Sequence, residues 1–578
     1  MFCIYAIANI YAKWFYLRSF IIMTSLIYLT IHQTKCYNPV QMHLCQRVYI
    51  QVRDRVAFAI SWLIPLYLCA YFPHWFSQEI VELFHLRALS RALIIIQIAY
   101  IIFSYIYRCL YYPPGPPPML VFGNAPFINM KKPETTFLTY KEIYGSVYTL
   151  YLPNPTIIMT DYSTIQEALT TYGHATSGRS SNESFVLFTN DRENGDGVIL
   201  AMGQKWRDMR NEVTKFLGSL YGAQMDDLIL YHTRCLEAEL KKISDHKSLV
   251  DLRDPLAGAI ANVIQQITIG RTYLFQDEEF QTQLRDINSV VKEIMTAEVF
   301  FVNSYPWLRY LPDGILRKWT NYKRSGFRLQ QWFRTLLEEH LENRHQGDFM
   351  SHMVDRQESS KTALFNDLSI ILTCGDIWTG GMETTVTTLR WGIIYLLQNP
   401  EVQKRCHEEV LAVFGDREPH SKETTETPYV KAVISEIQRM ANVLPWAIPH
   451  KATDDVQIRQ YQIKSGTEII PALGALLADP KIFPEPDVFR PERFLNKDGS
   501  YKHIEEFRPF GIGGRACLGE RIARQELYLI FCSLMQNFRF YLHKDEPLPT
   551  AERVVGGITN PPKPYSTRVE YLGIRNVD

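Results

Sequence analysis

Apolar and polar positions divide the chain into stretches of different period. From Ala92 to Tyr107 no charged residue occurs and most positions are apolar, with Arg91 and Arg108 at the two ends. With Cys109–Tyr112 this run is about long enough to cross a bilayer core, and its terminal tyrosines suit the membrane interface. The pattern predicts a transmembrane anchor over 88–112; a buried core helix is the other reading, because the run is at the short end of the spanning range. Two more apolar runs lie upstream, Ser19–Ile31 and Val56–Phe72. The first is short for a bilayer and Pro65 interrupts the second, so residues 1–87 stay open between an extra membrane segment, an extension of another kind and a start assigned too early. After the anchor, Pro113-Pro114-Gly115-Pro116-Pro117-Pro118 cannot continue a helix and favours stiff extended backbone, a hinge before a globular domain over 119–578.

Beyond the hinge the period shortens and then lengthens. Tyr144–Leu152 and Thr156–Thr160 alternate around Pro153-Asn154-Pro155 and carry β-branched residues, which predicts a hairpin. Most of the chain from there to Pro400 has helical periodicity, so the domain is expected to be mainly α with a small β part. The longest helical stretch runs from Asn366 to Gln398 and stops at Asn399-Pro400. Gly380 and Gly381 stand at its middle. Each costs a helix about 1 kcal/mol against alanine, so they need a reason, and room for a ligand is one.

Composition narrows the class. A chain of 578 residues, 46% hydrophobic, can bury the core of one large catalytic domain. A net charge of zero and the lack of a basic stripe interleaved with aromatics argue against nucleic acid as a partner. The ten cysteines are scattered without paired spacing, which points to a reducing compartment rather than a disulfide framework or a zinc site.

One cysteine stands apart. Phe510-Gly511-Ile512-Gly513-Gly514-Arg515-Ala516-Cys517-Leu518-Gly519 reads as a ligand loop: Gly513 and Gly514 let the backbone press against a flat ligand and aim the Cys517 sulfur at its centre. Helical sequence from Glu520 onward puts that sulfur near a helix N-terminus, where the aligned dipoles are expected to favour thiolate. Thiolate ligation of haem iron favours O–O cleavage. Phe-x-x-Gly-x-Arg-x-Cys-x-Gly fixes five positions, and a chance match in a chain this long is on the order of 10⁻⁴.

At Phe510, Gly513, Arg515, Cys517 and Gly519 the chain resembles the cytochrome P-450 family, whose cysteine ligates haem b (iron protoporphyrin IX). The resemblance reaches from Pro113 to the C-terminus with five motifs in the family's order. It implies the P-450 fold, with a long central oxygen-binding helix over the haem. Trp206 and Arg210 share one helix face and match the family's propionate-binding Trp-x-x-x-Arg. Glu383 and Thr384 match its acid–alcohol pair: a hydroxyl to hold oxygen and its water, a carboxylate to relay protons. Gly380-Gly381 departs from the commoner Ala-Gly, a change expected to widen the groove. Glu436 and Arg439 at i, i+3, with Arg493 some fifty residues on, match a structural Glu-Arg-Arg set whose surplus charge backbone carbonyls would have to solvate. His450 stands where microsomal members place a His or Arg against a propionate, though a lone His is as often simply hydrogen-bonded in place.

The resemblance is closest to animal microsomal members, and residues 381–391 resemble nematode ones. It implies a monooxygenase that inserts one oxygen atom from O2 into a lipophilic substrate (fatty acid, sterol or xenobiotic). Electrons would come from NADPH through a separate flavoprotein reductase, with cytochrome b5 as a second donor. Lys205, Arg207, Arg521 and Arg524 are candidates for meeting that reductase. The implied location is the endoplasmic reticulum membrane, catalytic domain towards the cytosol; charges flanking the anchor nearly balance and set no orientation. Two rivals share the fold: an isomerase or dehydratase acting without O2, and a haem protein without turnover. Residues 177–198 and 294–311 are expected to line the substrate pocket.

Overall fold

The computed structural model describes residues 111–576 except 120–121, 153, 221, 247, 344–346 and 360–364, with scattered positions from 92 to 107. The N-terminal extension, its apolar runs and most of the expected anchor lie outside the described residues. Among the described residues no helix is long and apolar enough to cross a membrane.

The chain divides into two compact units, residues 1–128 with 139–157, and residues 129–138 with 158–578. In the first, strand β1 (Val147–Tyr151) pairs with β2 (Pro155–Met159), whose last two residues belong to the second unit. The prolines do not hang free beside this hairpin. Thr149 donates to the Pro113 carbonyl through its hydroxyl at 2.8 Å and to the Pro114 carbonyl through its N–H at 3.0 Å. Gly115 is needed there because a Cβ would strike the Thr149 carbonyl.

The second unit is mainly helical with small β pairings. After the two-residue strand β3 (Gly178–Arg179) come α1 (Gly203–Ser219), α2 (Ala223–His246), α3 (Arg253–Ile269), α4 (Glu278–Glu293), α5 (Arg317–Glu342), α6 (Asp367–Gln398) and α7 (Pro428–Ala441). Then follow β4 (His450–Lys451), β5 (Glu468–Pro471), α8 (Glu520–Asn537), β6 (Phe538–Tyr541) and β7 (Arg568–Tyr571). β3, β4 and β5 run antiparallel in sequence, with Arg179 opposite His450 and His450 opposite Ile469. β6 pairs with β7, Phe538 opposite Tyr571.

The centre is α6. Asn366 caps its start, its side chain accepting from the Ser369 N–H at 3.0 Å, and Pro400 opens the next helix at once, so the ends follow local rules. Buried on most sides, with Trp378 and Trp391 fully buried, α6 packs against α3, α5, α7 and α8. Gly381 sits in the α3 contact, where a Cβ would come within 2.7 Å of Ile264.

Candidate functional site

The loop before α8 is built by its glycines. Gly511 (φ 88°) and Gly513 (φ 77°) take left-handed backbone, and a Cβ on Gly513 would strike the Leu169 carbonyl. Gly514 is not left-handed; its role is proximity, since a Cβ there would approach the Trp206 ring to 3.3 Å. Cys517 N–H donates to the Phe510 carbonyl at 2.8 Å, closing the turn, and Gly519 caps α8. The Cys517 side chain is exposed only in the sense that it opens onto the cavity it lines. Burial pushes its thiol pKa up, outweighing the Gly519 N–H beside the sulfur. Arg210 and Arg524 act with that N–H to favour the thiolate, the direction expected from the helix terminus, while burial acts against it.

Above the sulfur lies a cavity of about 330 Å3, at the lower end of ligand-pocket sizes. One wall is α6, through Asp376, Ile377, Gly380, Gly381, Thr384 and Thr385. Gly380 would leave a Cβ in open space, so its missing side chain is cavity volume; Gly381's is helix contact. Thr384 donates its hydroxyl back to the Gly380 carbonyl at 2.8 Å. Glu383 does not line the cavity. It is buried, accepts from the Thr387 hydroxyl at 3.3 Å, and burial raises its pKa against the opposing charges of Arg253 and Arg390.

The opposite requirement, an anion, is written in the cations. Arg515 donates to the carbonyls of Ser177 (2.9 Å) and Ala201 (2.5 Å) and lies 3.9 Å over the Trp206 ring. Arg210 donates to the Ala516 carbonyl at 2.7 Å, and Arg179 to those of Ile199 (3.0 Å) and Ile448 (2.9 Å). Among the described residues no carboxylate pairs with any of the three. Burial, then the neighbouring guanidiniums, push Arg515 down to about 8 and Arg179 to about 9. Such values mark uncompensated positive charge, since free guanidinium holds its proton far above neutrality. Trp206 Nε1 is buried beside them with no partner among the described residues. A thiol facing a mainly apolar cavity, three unneutralised cations and an unused indole donor fit haem with its two propionates. His450 lines the same cavity, bonds through Nδ1 to the Thr176 carbonyl at 2.8 Å, and is held neutral by burial and by Arg179. Phe510 flanks the loop with Arg524 4.7 Å over its ring.

Glu436, Arg439 and Arg493 come together away from the cavity. Arg439 grips Glu436 through two bonds (2.7 and 2.9 Å), Arg493 reaches it at 3.1 Å, and the carbonyls of Leu477, Pro486 and Glu485 take the spare donors. Of the four candidate docking cations, Lys205 is turned inward to Asp196 and Asp191, and Arg524 pairs with Glu520 at 2.8 Å. Residues 179, 198 and 199 line the cavity, whereas none from 294–311 does. That segment forms the helix Ala297–Ser304 and a 3-10 turn, with Val299 and Val302 packed on Trp319 and Tyr322 and with Trp307 exposed.

Three acids and bases of the site escaped sequence reading. Arg179 carries no local pattern; only its pairing opposite His450 brings it to Arg515. Glu526, on the α8 face that meets α6, accepts from the Thr385 hydroxyl at 3.4 Å, leaves Oε1 buried without a partner, and is pushed up to about 8 by burial. Asp376 lies two turns before Thr384, and that spacing along one helix face was the available signal.

The family model described as "Cytochrome P450" (written P-450 here) matches residues 113–569. The chain is 64% identical over 568 residues to a 3-ketosteroid oxygenase of Caenorhabditis elegans, covering 98% of each chain. It is 33% identical over 437 residues to cytochrome P-450 2C55 of Rattus norvegicus (74% of this chain, 87% of the relative). It is also 33% identical over 460 residues to cytochrome P-450 2C5 of Oryctolagus cuniculus (78% and 93%).

Proposed function

The chain belongs to the cytochrome P-450 family and is a monooxygenase, and from that premise we propose that it oxygenates a steroid with electrons from NADPH delivered by a separate reductase. The observation that carries the substrate class is the 64% identity, over 98% of both chains, to the 3-ketosteroid oxygenase. A cavity walled largely by aliphatic side chains such as Val213, Ile264, Ile267 and Ile377 supports it, because a rigid apolar nucleus loses little entropy on burial there.

Cys517 would hold the haem iron through its sulfur, and that group would supply the activation of dioxygen. The protein's own residues do the rest. Arg179, Arg210 and Arg515 would hold the haem propionates, the anionic partners they lack, and Trp206 Nε1 would gain an acceptor. The gap at Gly380 admits the substrate's edge beside the Thr384 hydroxyl. Turned away from the Gly380 carbonyl, the Thr384 hydroxyl would reach into the cavity it lines, where it could hold a water. Glu383, whose carboxyl burial raises, accepts from the Thr387 hydroxyl, so moving a proton between it and Thr384 requires a change of rotamer. Aliphatic walls keep the space beside these groups apolar, which strengthens the polar interactions made inside it. We place the enzyme on the endoplasmic reticulum membrane, held by residues 88–112.

The test is reconstitution with an NADPH-dependent reductase and a 3-ketosteroid. Oxygenated product that requires both NADPH and O2 is expected. Conversion that proceeds without NADPH would mean a rearrangement instead. Cys517→Ser is expected to lose the red-shifted absorption band that the reduced protein forms with carbon monoxide.

A further inference from the structure

A second cavity lies between α4 and α5, and its chemistry is the reverse of the first. Its volume is about 410 Å3, within the range of small-molecule pockets, yet every side chain that lines it is polar. The two helices make such a cleft because each has two faces. α4 turns Phe280, Leu284, Ile287 and Val291 to the core, and α5 turns Leu329, Trp332, Phe333 and Leu336. The stripes left over repeat at steps of three and four, Thr282, Arg285 and Ser289 on one helix and Asn321, Arg324 and Arg328 on the other.

The charges in this cleft do not cancel. Asp286 is buried, and Arg328 grips it through two bonds, one of 2.8 Å, while donating to the buried Ser325 hydroxyl at 3.1 Å. That pair is complete in itself. Asp313, exposed just before α5, accepts from both Lys323 (3.1 Å) and Arg324 (3.2 Å), so one carboxylate serves two cations. Arg285 pairs with no carboxylate among the described residues; it donates only to the Thr282 hydroxyl, at 2.7 Å. Four cations against two carboxylates leave two positive charges over. Ser289 and Asn321 line the same space, and among the described residues their side chains meet no hydrogen-bond partner.

We infer that this cleft binds a phosphate monoester. Near neutrality such a group carries close to two negative charges on three acceptor oxygens, which matches the surplus and the idle donors of Arg285, Arg324, Ser289 and Asn321. Guanidinium forks suit it because parallel N–H groups meet two of its oxygens at once. None of the cleft residues lines the haem cavity, so this site is separate from the one that oxygenates. The phosphate belongs either to a soluble molecule or to a lipid headgroup, and the two sources are separable.

The experiment is isothermal titration of the full-length haem-loaded protein in detergent with phenyl phosphate and with dihexanoyl phosphatidic acid. Dihexanoyl phosphatidylcholine, whose phosphate is a diester, is the control. Saturable binding of a monoester is expected, weakened by added salt. Arg285→Gln and Arg324→Gln should each weaken it about tenfold, with the carbon monoxide band retained as evidence of folding. Lys404→Gln, at a cation 77% exposed on the helix Pro400–Phe414, should change nothing. Tighter binding of phosphatidic acid than of phenyl phosphate assigns the site to a lipid headgroup, and equal or weaker binding to a soluble phosphate. Absence of saturable binding by either monoester, equal binding of the diester, or unchanged affinity in both arginine variants overturns the site.

Discussion

Gly380 and Gly381 are adjacent, yet the space beside each differs, and the difference is measurable. Gly381→Ala would drive a Cβ to 2.7 Å from Ile264, and overpacking of this kind costs about 1–3 kcal/mol. Gly380→Ala meets nothing and should stabilise the helix by up to about 1 kcal/mol while weakening steroid binding, because the methyl enters the cavity. Denaturant unfolding and binding titrations on the two variants check this; equal effects would refute the division of roles. Glu526 carries a pH prediction. Its carboxyl is raised from 4.5 to about 8, so between those values the folded protein keeps a proton that the unfolded chain releases. Stability from this group is full at acid pH and is lost as pH rises through that window. The melting temperature of Glu526→Gln should fall less than wild type's over the same range; parallel curves would show the shift to be absent.

At the scale of elements, the junctions between helices carry the charges. Glu436 on α7 satisfies two arginines from different segments, and Arg439 and Arg493 spend their remaining donors on carbonyls. Glu436→Ala leaves both cations buried and unpaired and should cost about 3–5 kcal/mol or prevent accumulation of folded protein. Urea unfolding, or the yield of haem-loaded protein where unfolding is too easy, measures it; a loss under 1 kcal/mol, about a surface pair's worth, would contradict the burial seen here. The proline segment is likewise an element with a partner. Its bonds to Thr149 and the contact at Gly115 predict that Gly115→Ala lowers stability, although the sequence alone made the segment a spacer.

For the whole molecule, the residues that build the cavity begin at Leu169 and all belong to the second unit. A chain starting at Pro113 should therefore still fold, bind haem and give the carbon monoxide band. Full-length protein should sediment with membranes more than the truncated chain. Loss of the band on truncation would mean that the N-terminal residues support the haem domain itself.

Local chemistry was legible from the sequence because it is written in neighbours. The hairpin around Pro153–Pro155, the ends of α6 at Asn366 and Pro400, and the glycine-bounded loop at Cys517 each depend on the backbone freedom and capping of a few adjacent residues. Motif spacing then pointed to the haem-thiolate family, to which the chain belongs. What adjacency cannot carry was decided by the tertiary structure. Arg179 joins Arg210 and Arg515 through strand pairing, Asp376 and Glu526 acquire their raised pKa values from burial, and Lys205 turns to Asp196 rather than outward. At Cys517 the helix end is legible in the sequence, but the burial that pushes the thiol pKa up depends on everything packed around the sulfur. A residue's identity is in the sequence; its dielectric surroundings and its partners from distant segments exist only once the chain has folded.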